Sequence, residues 1–382
     1  MPVLMLAIAS PLRAQDGALV LRAFEEPPPG RAMGVGPQGV QVRTPQGDVV
    51  VVGWDRVLTP PPALAEAAEP FQQLSTDAWR ARTRLERGDL VLAEPLLLDV
   101  FERTRADGRV LRGPTGLVVA EGLLRCRLAR GATAAAIEPW LAWLDASIVR
   151  QPRTTFANRQ WAREAGLPIV IDPATELAPM LPPMWLETPS LQLVLQLEPI
   201  EGERDKAAAM RALYQAAARF ELGQPVDGLP DVPREAASEL VRDIVAARVL
   251  EAPARTSARA RLEGAMGNAA SPWLTAWVRA AIGRSLVLED DEEMRLRGVA
   301  QLLRVHVLHR QDSPALADVA LAEAAVTLEA VGQNVVARSL AAELARVSPQ
   351  SPVLSWPEMV PLLHSDSAAA TAAQPSTVGE TP

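Results

Sequence analysis

Apolar positions between residues 321 and 349 recur at helical spacing. Leu321, Ala324, Ala325 and Leu328 share one face of a first segment, and Ala337, Ala341 and Leu344 share one face of a second. Gly332-Gln333-Asn334 separates them as a tight turn, glycine tolerating the left-handed backbone that often ends a helix, and Pro349 closes the second segment. The pattern predicts two short amphipathic helices. Similar pairs recur upstream. Ala81 and Leu85 lead through Gly88-Asp89 to Leu90, Ala93, Leu97 and Phe101, and a helix over residues 120–128 leads through Gly131 to Ala136, Trp140 and Trp143. A fourth turn falls at Gly223, after a strongly helical stretch over residues 207–222. Further helices are predicted over residues 235–250, 256–266, 272–288, 292–309 and 316–328.

The pattern changes near the N-terminus, where residues 18–24, 39–44 and 48–54 read as short strands. Val40 and Val42 alternate with Gln41 and Arg43, so that strand offers one face to a core, whereas Val49, Val50, Val51 and Val52 read as buried on both sides. Pro45-Gln46-Gly47 supplies the turn between the last two strands. Residues 34–39, Gly-Val-Gly-Pro-Gln-Gly, match the letters of a dinucleotide fingerprint. No strand is predicted before them and a strand rather than a helix follows, so they are read as a loop. Thr59-Pro60-Pro61-Pro62 forms a stiff linker. Six prolines between Pro168 and Pro189 interrupt the helical rhythm, with one short extended piece expected at residues 167–172. The expectation there is a strap across the helices, anchored by Met184 and Trp185.

The pair around Gly332 resembles a tetratricopeptide repeat. Leu321 stands in that motif's tryptophan place, Ala324 and Ala325 in its Leu-Gly places, Leu328 in its tyrosine place, Ala337 in its alanine place and Ala341 in its second aromatic place, with Pro349 on its proline. Aliphatic residues replace the motif's aromatics throughout, which keeps the packing logic. Gly88 and Gly131 are spaced more widely than the motif's period of about 34 residues, so the pairs are degenerate or longer. The resemblance implies a mainly α fold of stacked antiparallel helix pairs, an α-solenoid, preceded by a small N-terminal antiparallel β segment.

The resulting organisation is a signal peptide at 1–14, a β segment with its proline-rich linker at 15–62 and helical repeats at 63–166. A proline-rich linker or strap follows at 167–200, then further repeats at 201–363 and a disordered tail at 364–382. The signal reading rests on the short apolar run at residues 3–9 and on Ala14 as a cleavage residue, and it implies a periplasmic or secreted protein. If the same run is a first strand, the protein is cytoplasmic. No uninterrupted apolar stretch is long enough to span a bilayer.

Composition narrows the chemistry. A net charge of −8 argues against nucleic acid as a partner. Cys126, the single cysteine, excludes an intramolecular disulfide and reads as a buried small side chain on a helix. Lys206 is the only lysine, and there are three histidines. His306 and His309 sit three apart on a predicted helix with Asp312 a turn beyond, a spacing that suits two metal ligands. Leu302, Leu303, Val305, Val307 and Leu308 around them favour packing instead, and His364 lies beside the tail. The acidic run Glu289, Asp290, Asp291, Glu292, Glu293 lacks the alternation of a calcium loop and is read as a helix cap on a solvated face.

Nine tryptophans stand against one tyrosine. Trp140 with Trp143, and Trp273 with Trp277, share helix faces, either filling gaps between helices or holding a sugar or aromatic ligand. Arg80, Arg84 and Arg87 form a basic stripe, read as solvated or as a site for an anionic peptide. No catalytic, cofactor-binding or metal-binding residue is assigned. The expected function is therefore an exported helical-repeat scaffold or binding module for a protein or peptide partner. The alternative is a glycan-acting envelope hydrolase using paired carboxylates in a helical groove.

Overall fold

The structure is a computed structural model that describes residues 18–106, 112–147, 154–156, 161–199, 202–267 and 271–364. The signal peptide and the tail beyond His364 lie outside these residues. The chain divides into two compact units, residues 1–122 with 146–167 and residues 123–145 with 168–382. Its strands and helices follow in order as β1 (Val20–Leu21), β2 (Arg31–Gly36), β3 (Gly39–Arg43), β4 (Val49–Val52), β5 (Val57–Thr59), α1 (Ala65–Ala68), α2 (Gln72–Glu86), α3 (Leu90–Ala106), α4 (Gly113–Ala129), α5 (Thr133–Ser147), β6 (Thr154–Phe156) and α6 (Trp161–Glu164). Then come α7 (Thr188–Leu195), α8 (Asp205–Glu221), α9 (Ala236–Val249), α10 (Ala252–Met266), α11 (Pro272–Leu286), α12 (Glu292–His309), α13 (Pro314–Ala330) and α14 (Asn334–Val347). The fold is mainly α with a small N-terminal β region.

In the first unit β1 pairs antiparallel with β5, and a four-stranded sheet runs in the order β2-β3-β4-β6, antiparallel except for the β4–β6 pair. Val40 and Val42 turn into a core with Leu21, Val52, Trp54 and Val57, while Gln41 and Arg43 face solvent, as their alternation predicts. Only Val51 and Val52 of the valine run are fully buried; Val49 and Val50 are half-exposed. The glycine-rich segment is not a simple loop. Residues 31–36 form β2 and pair with β3 around a two-residue turn at Pro37-Gln38, so a strand does feed it. The following element is still a strand, which leaves no helix N-terminus for a phosphate. The predicted strand at 18–24 shortens to two residues, because Ala23 takes a left-handed backbone and the chain turns. Thr59 belongs to β5, so the stiff linker begins only after it.

In the second unit α8 to α14 pack in sequence. Each helix meets the next, and α9 also meets α11, as α11 meets α13. Such near-neighbour contact is how stacked helices share one continuous core. Leu321, Ala324, Ala325, Ala337, Ala341 and Leu344 are all buried, so the residues that predicted the pair around Gly332 are those that hold it. The first helix of that pair is less amphipathic than its spacing suggested. Ala320, Ala322, Glu323 and Thr327 are buried as well, so α13 is covered on most sides.

Residues 168–187 carry no helix or strand, including the extended piece expected at 167–172. They pack down as a strap within the second unit. Leu177, Ala178, Leu181, Met184 and Trp185 are buried. Three aromatic donors on three helices hold its carbonyls. Trp140 Nε1 donates to Glu176 O at 3.0 Å, Trp277 Nε1 donates to Pro179 O at 3.0 Å, and the Tyr214 hydroxyl donates to Leu181 O. Buried carbonyls need partners, and these rings supply them where no ladder can. One helix inside the proline-rich span went unpredicted: α7 starts at Thr188 with Pro189 in its first turn, a position proline favours.

Candidate functional site

The histidine pair does not assemble a metal site. His306 Nδ1 lies 3.5 Å from the Arg310 guanidinium, and His309 Nδ1 lies 3.8 Å from Asp312 Oδ2. Burial and the Arg310 cation push His306 below its ordinary value; burial and Arg279 do the same to His309. Among the described residues no group of three His, Cys, Asp or Glu is placed to hold a metal.

Several other candidates resolve into structural contacts. Asp291 caps α12 by accepting from the Met294 amide at 2.9 Å, and Glu289 pairs with Arg259 at 2.8 Å, which holds its carboxyl below the usual range. Trp277 is fully buried and stacks edge-on against Trp273 at 5.2 Å, while Trp140 and Trp185 both pack against Tyr214. In the basic stripe Arg84 pairs with Asp89 at 2.9 Å, and Arg80 and Arg87 are exposed. Cys126 is buried. Lys206 bonds both Glu176 and Glu235 at 2.7 Å. Burial alone would lower its pKa, but these carboxylates outweigh it and keep the amine charged, the wrong state for a general base or nucleophile.

The strongest electrostatic feature was not expected from sequence. Glu221 at the end of α8, Arg248 on α9, Arg284 on α11 and Glu323 on α13 form a closed ring of alternating charge inside the second unit. Arg248 Nε reaches Glu221 Oε1 at 2.8 Å and its Nη1 reaches Glu323 Oε1 at 2.9 Å. Arg284 Nη2 reaches Glu221 Oε1 at 2.9 Å and its Nε reaches Glu323 Oε2 at 2.6 Å. Burial alone would raise Glu221, yet Arg248 and Arg284 outweigh it and hold its carboxyl below the usual range. Burial would lower Arg248, and the two carboxylates push it up instead. A hollow of about 10 Å³ beside Glu221, Arg248 and Arg284 has room for one water at most. Of the two acids only Glu221 borders this hollow, and each acid is bridged by two guanidiniums.

On the α11–α12 surface the charges do not close. Arg279 and Arg304 lie side by side and form no ion pair with any described residue. Burial, with the neighbouring Arg304 cation, pushes Arg279 down, and its buried Nε has no hydrogen-bond partner. Next to Arg304 on the same helix, Val307 is 73% exposed and Leu308 61% exposed. This patch, rather than any catalytic constellation, is the candidate functional surface. Neither its unpaired charge nor its exposed side chains could be read from α12 alone.

No protein family, curated protein or solved structure matches the chain.

Proposed function

We propose that the chain is a helical-repeat binding or assembly module, of tetratricopeptide-like construction, that holds a protein or peptide partner. One observation carries this reading. Sequential stacking leaves the outer faces of α12 and α14 open, and Val307, Leu308, Val335 and Val336 stand exposed on them while the neighbouring interior charges are satisfied among themselves. Stacked pairs supply a large ordered surface without reserving residues for bond-breaking. The chain would act in the periplasm or outside the cell, a placement supported by the apolar run at residues 3–9 followed by Ala14. No helix among the described residues is long and apolar enough to cross a membrane.

A glycan hydrolase would need one carboxyl kept protonated near neutral pH. Glu221, the acid best placed beside a cavity, is held the other way by Arg248 and Arg284. The test is quantitative affinity capture from an extract of the native cells, with the folded full chain and its heat-unfolded form side by side. The binding reading expects a stoichiometric partner retained by the folded chain alone. Recovery of nothing specific, or glycan cleavage by the purified chain, would overturn it.

A further inference from the structure

The outer face of α12 carries an apolar row with helical register. Leu296, Ala300, Leu303 and Val307 follow at steps of four, three and four, which places them along one side of the helix over three turns. Leu296, Ala300 and Val307 are exposed and Leu303 is half-buried. Neighbouring helices cover the opposite side, where Val299, Leu302 and Val305 are buried. Leu303 also packs against the core of its own unit, whereas Leu296, Ala300 and Val307 are surplus to that packing.

One flank of the row is basic, in a chain whose net charge is −8, while the exposed Glu292 and Glu293 border its N-terminal end. Two arginines around α12 have found carboxylates, Arg297 with Glu293 at 2.6 Å and Arg310 with Asp318 at 3.3 Å, while the buried Nε of Arg295 has no hydrogen-bond partner. Arg304 and Arg279 have found none. They face each other across the α11–α12 contact, with the buried His309 ring close to Arg279. A carboxylate brought to this spot meets two cations and relieves their mutual repulsion. A second cation would meet the reverse.

We propose that this face binds an amphipathic α-helix of a partner protein, its apolar seam laid along Leu296, Ala300, Leu303 and Val307 and an acidic flank set against Arg279 and Arg304. The inference rests on the binding-module reading and names the surface and the partner's chemistry. A helix fits because an apolar row stepped by four, three and four residues is complementary to the same row on another helix. A second copy of this chain fits less well. Antiparallel pairing would set Leu296 against Val307 and Ala300 against Leu303, but it brings Val299, not a carboxylate, opposite Arg304.

Two synthetic helical peptides with the same leucine seam, one flanked by glutamate and one by lysine, test this against the full chain by fluorescence anisotropy. The glutamate peptide should bind about tenfold more tightly than the lysine peptide. Arg304→Glu should remove or reverse that preference, Val307→Asp should weaken both peptides by about tenfold, and Val91→Asp, on an exposed position of α3, should change neither. Circular dichroism confirms that the exposed substitutions leave the fold intact. Equal binding of the two peptides, binding of neither, or indifference to Arg304→Glu and Val307→Asp would overturn the proposal. So would a dimer of the full chain, broken by Val307→Asp and untouched by the peptides, which would give the face to a second copy. Affinity capture separates this inference from the broader one. If Val307→Asp retains the same stoichiometric partner as the native chain, the surface is wrong and the module reading stands. If the native chain captures nothing, the module reading fails whatever the peptides do.

Discussion

Gly298 on α12 and Gly283 on α11 approach so closely that neither has room for a side chain. A Cβ on Gly298 would stand 2.9 Å from the Gly283 carbonyl oxygen, and a Cβ on Gly283 would stand 3.1 Å from that of Gly298. Backbone touches backbone here, and the contact fixes the antiparallel register of the two helices. With Gly283 set against Gly298 and Leu302, Arg279 falls one turn along α11, beside Arg304 on α12.

Gly298→Ala should therefore destabilise the chain by about 1–3 kcal/mol, because the helices must part to admit a methyl group. Alanine is otherwise the better helix former, so Gly264→Ala, where nothing lies within 4 Å, should stabilise it by about 1 kcal/mol or less. Thermal unfolding of both variants checks the pair. Equal shifts would mean that the crossing is looser than these contacts imply.

The charged ring gives a second expectation. Glu323→Ala removes one carboxylate from between Arg248 and Arg284 and leaves buried cations short of a partner, at a cost of about 3–5 kcal/mol. Replacing all four members by apolar residues of similar volume should cost much less, because nothing is then left unpaired. Urea unfolding of the two variants checks the contrast, and equal losses would contradict it.

How much of this was legible beforehand depended on whether a feature is local. α12 was read over residues 292–309 and is found there, because Asp291 caps it and its apolar spacing is unambiguous. The Gly332 turn and the burial of Ala337, Ala341 and Leu344 were equally readable. The strand at 31–36 was missed because Arg-Ala-Met-Gly-Val-Gly offers almost no apolar alternation and takes its order from pairing with β3. Pro189 reads as a breaker in the sequence, yet it marks a helix start. The ring draws its members from residues 221, 248, 284 and 323, and the α12 face depends on a register set by two glycines. Linear spacing shows the α12 apolar row but neither its exposure nor the partners of the ring.

Both α12 histidines are held below their ordinary value, by burial first and then by Arg310 for His306 and by Arg279 for His309, with Asp312 partly opposing at His309. A depressed folded pKa means that the unfolded chain binds the proton more readily. The stability they contribute is whole above about pH 6.5 and is lost as pH falls from there through the folded values. Glu221 and Glu289, depressed carboxylates, lose their contribution only in the acid range below about 4.5. Urea midpoints between pH 7 and about 5.5 should fall for the native chain and stay nearly flat for the His306→Gln, His309→Gln double variant. Identical slopes would contradict this assignment.

Glu221 and Glu323, the acids of the charged ring, are spent on arginine and are not kept as proton donors. The most direct measurement is the titration of the Glu221 side-chain carboxyl, followed by its carbon chemical shift in selectively labelled full-length chain. A midpoint below the ordinary 4.5 is the predicted result. A midpoint near neutrality, the state a general acid requires, would contradict it.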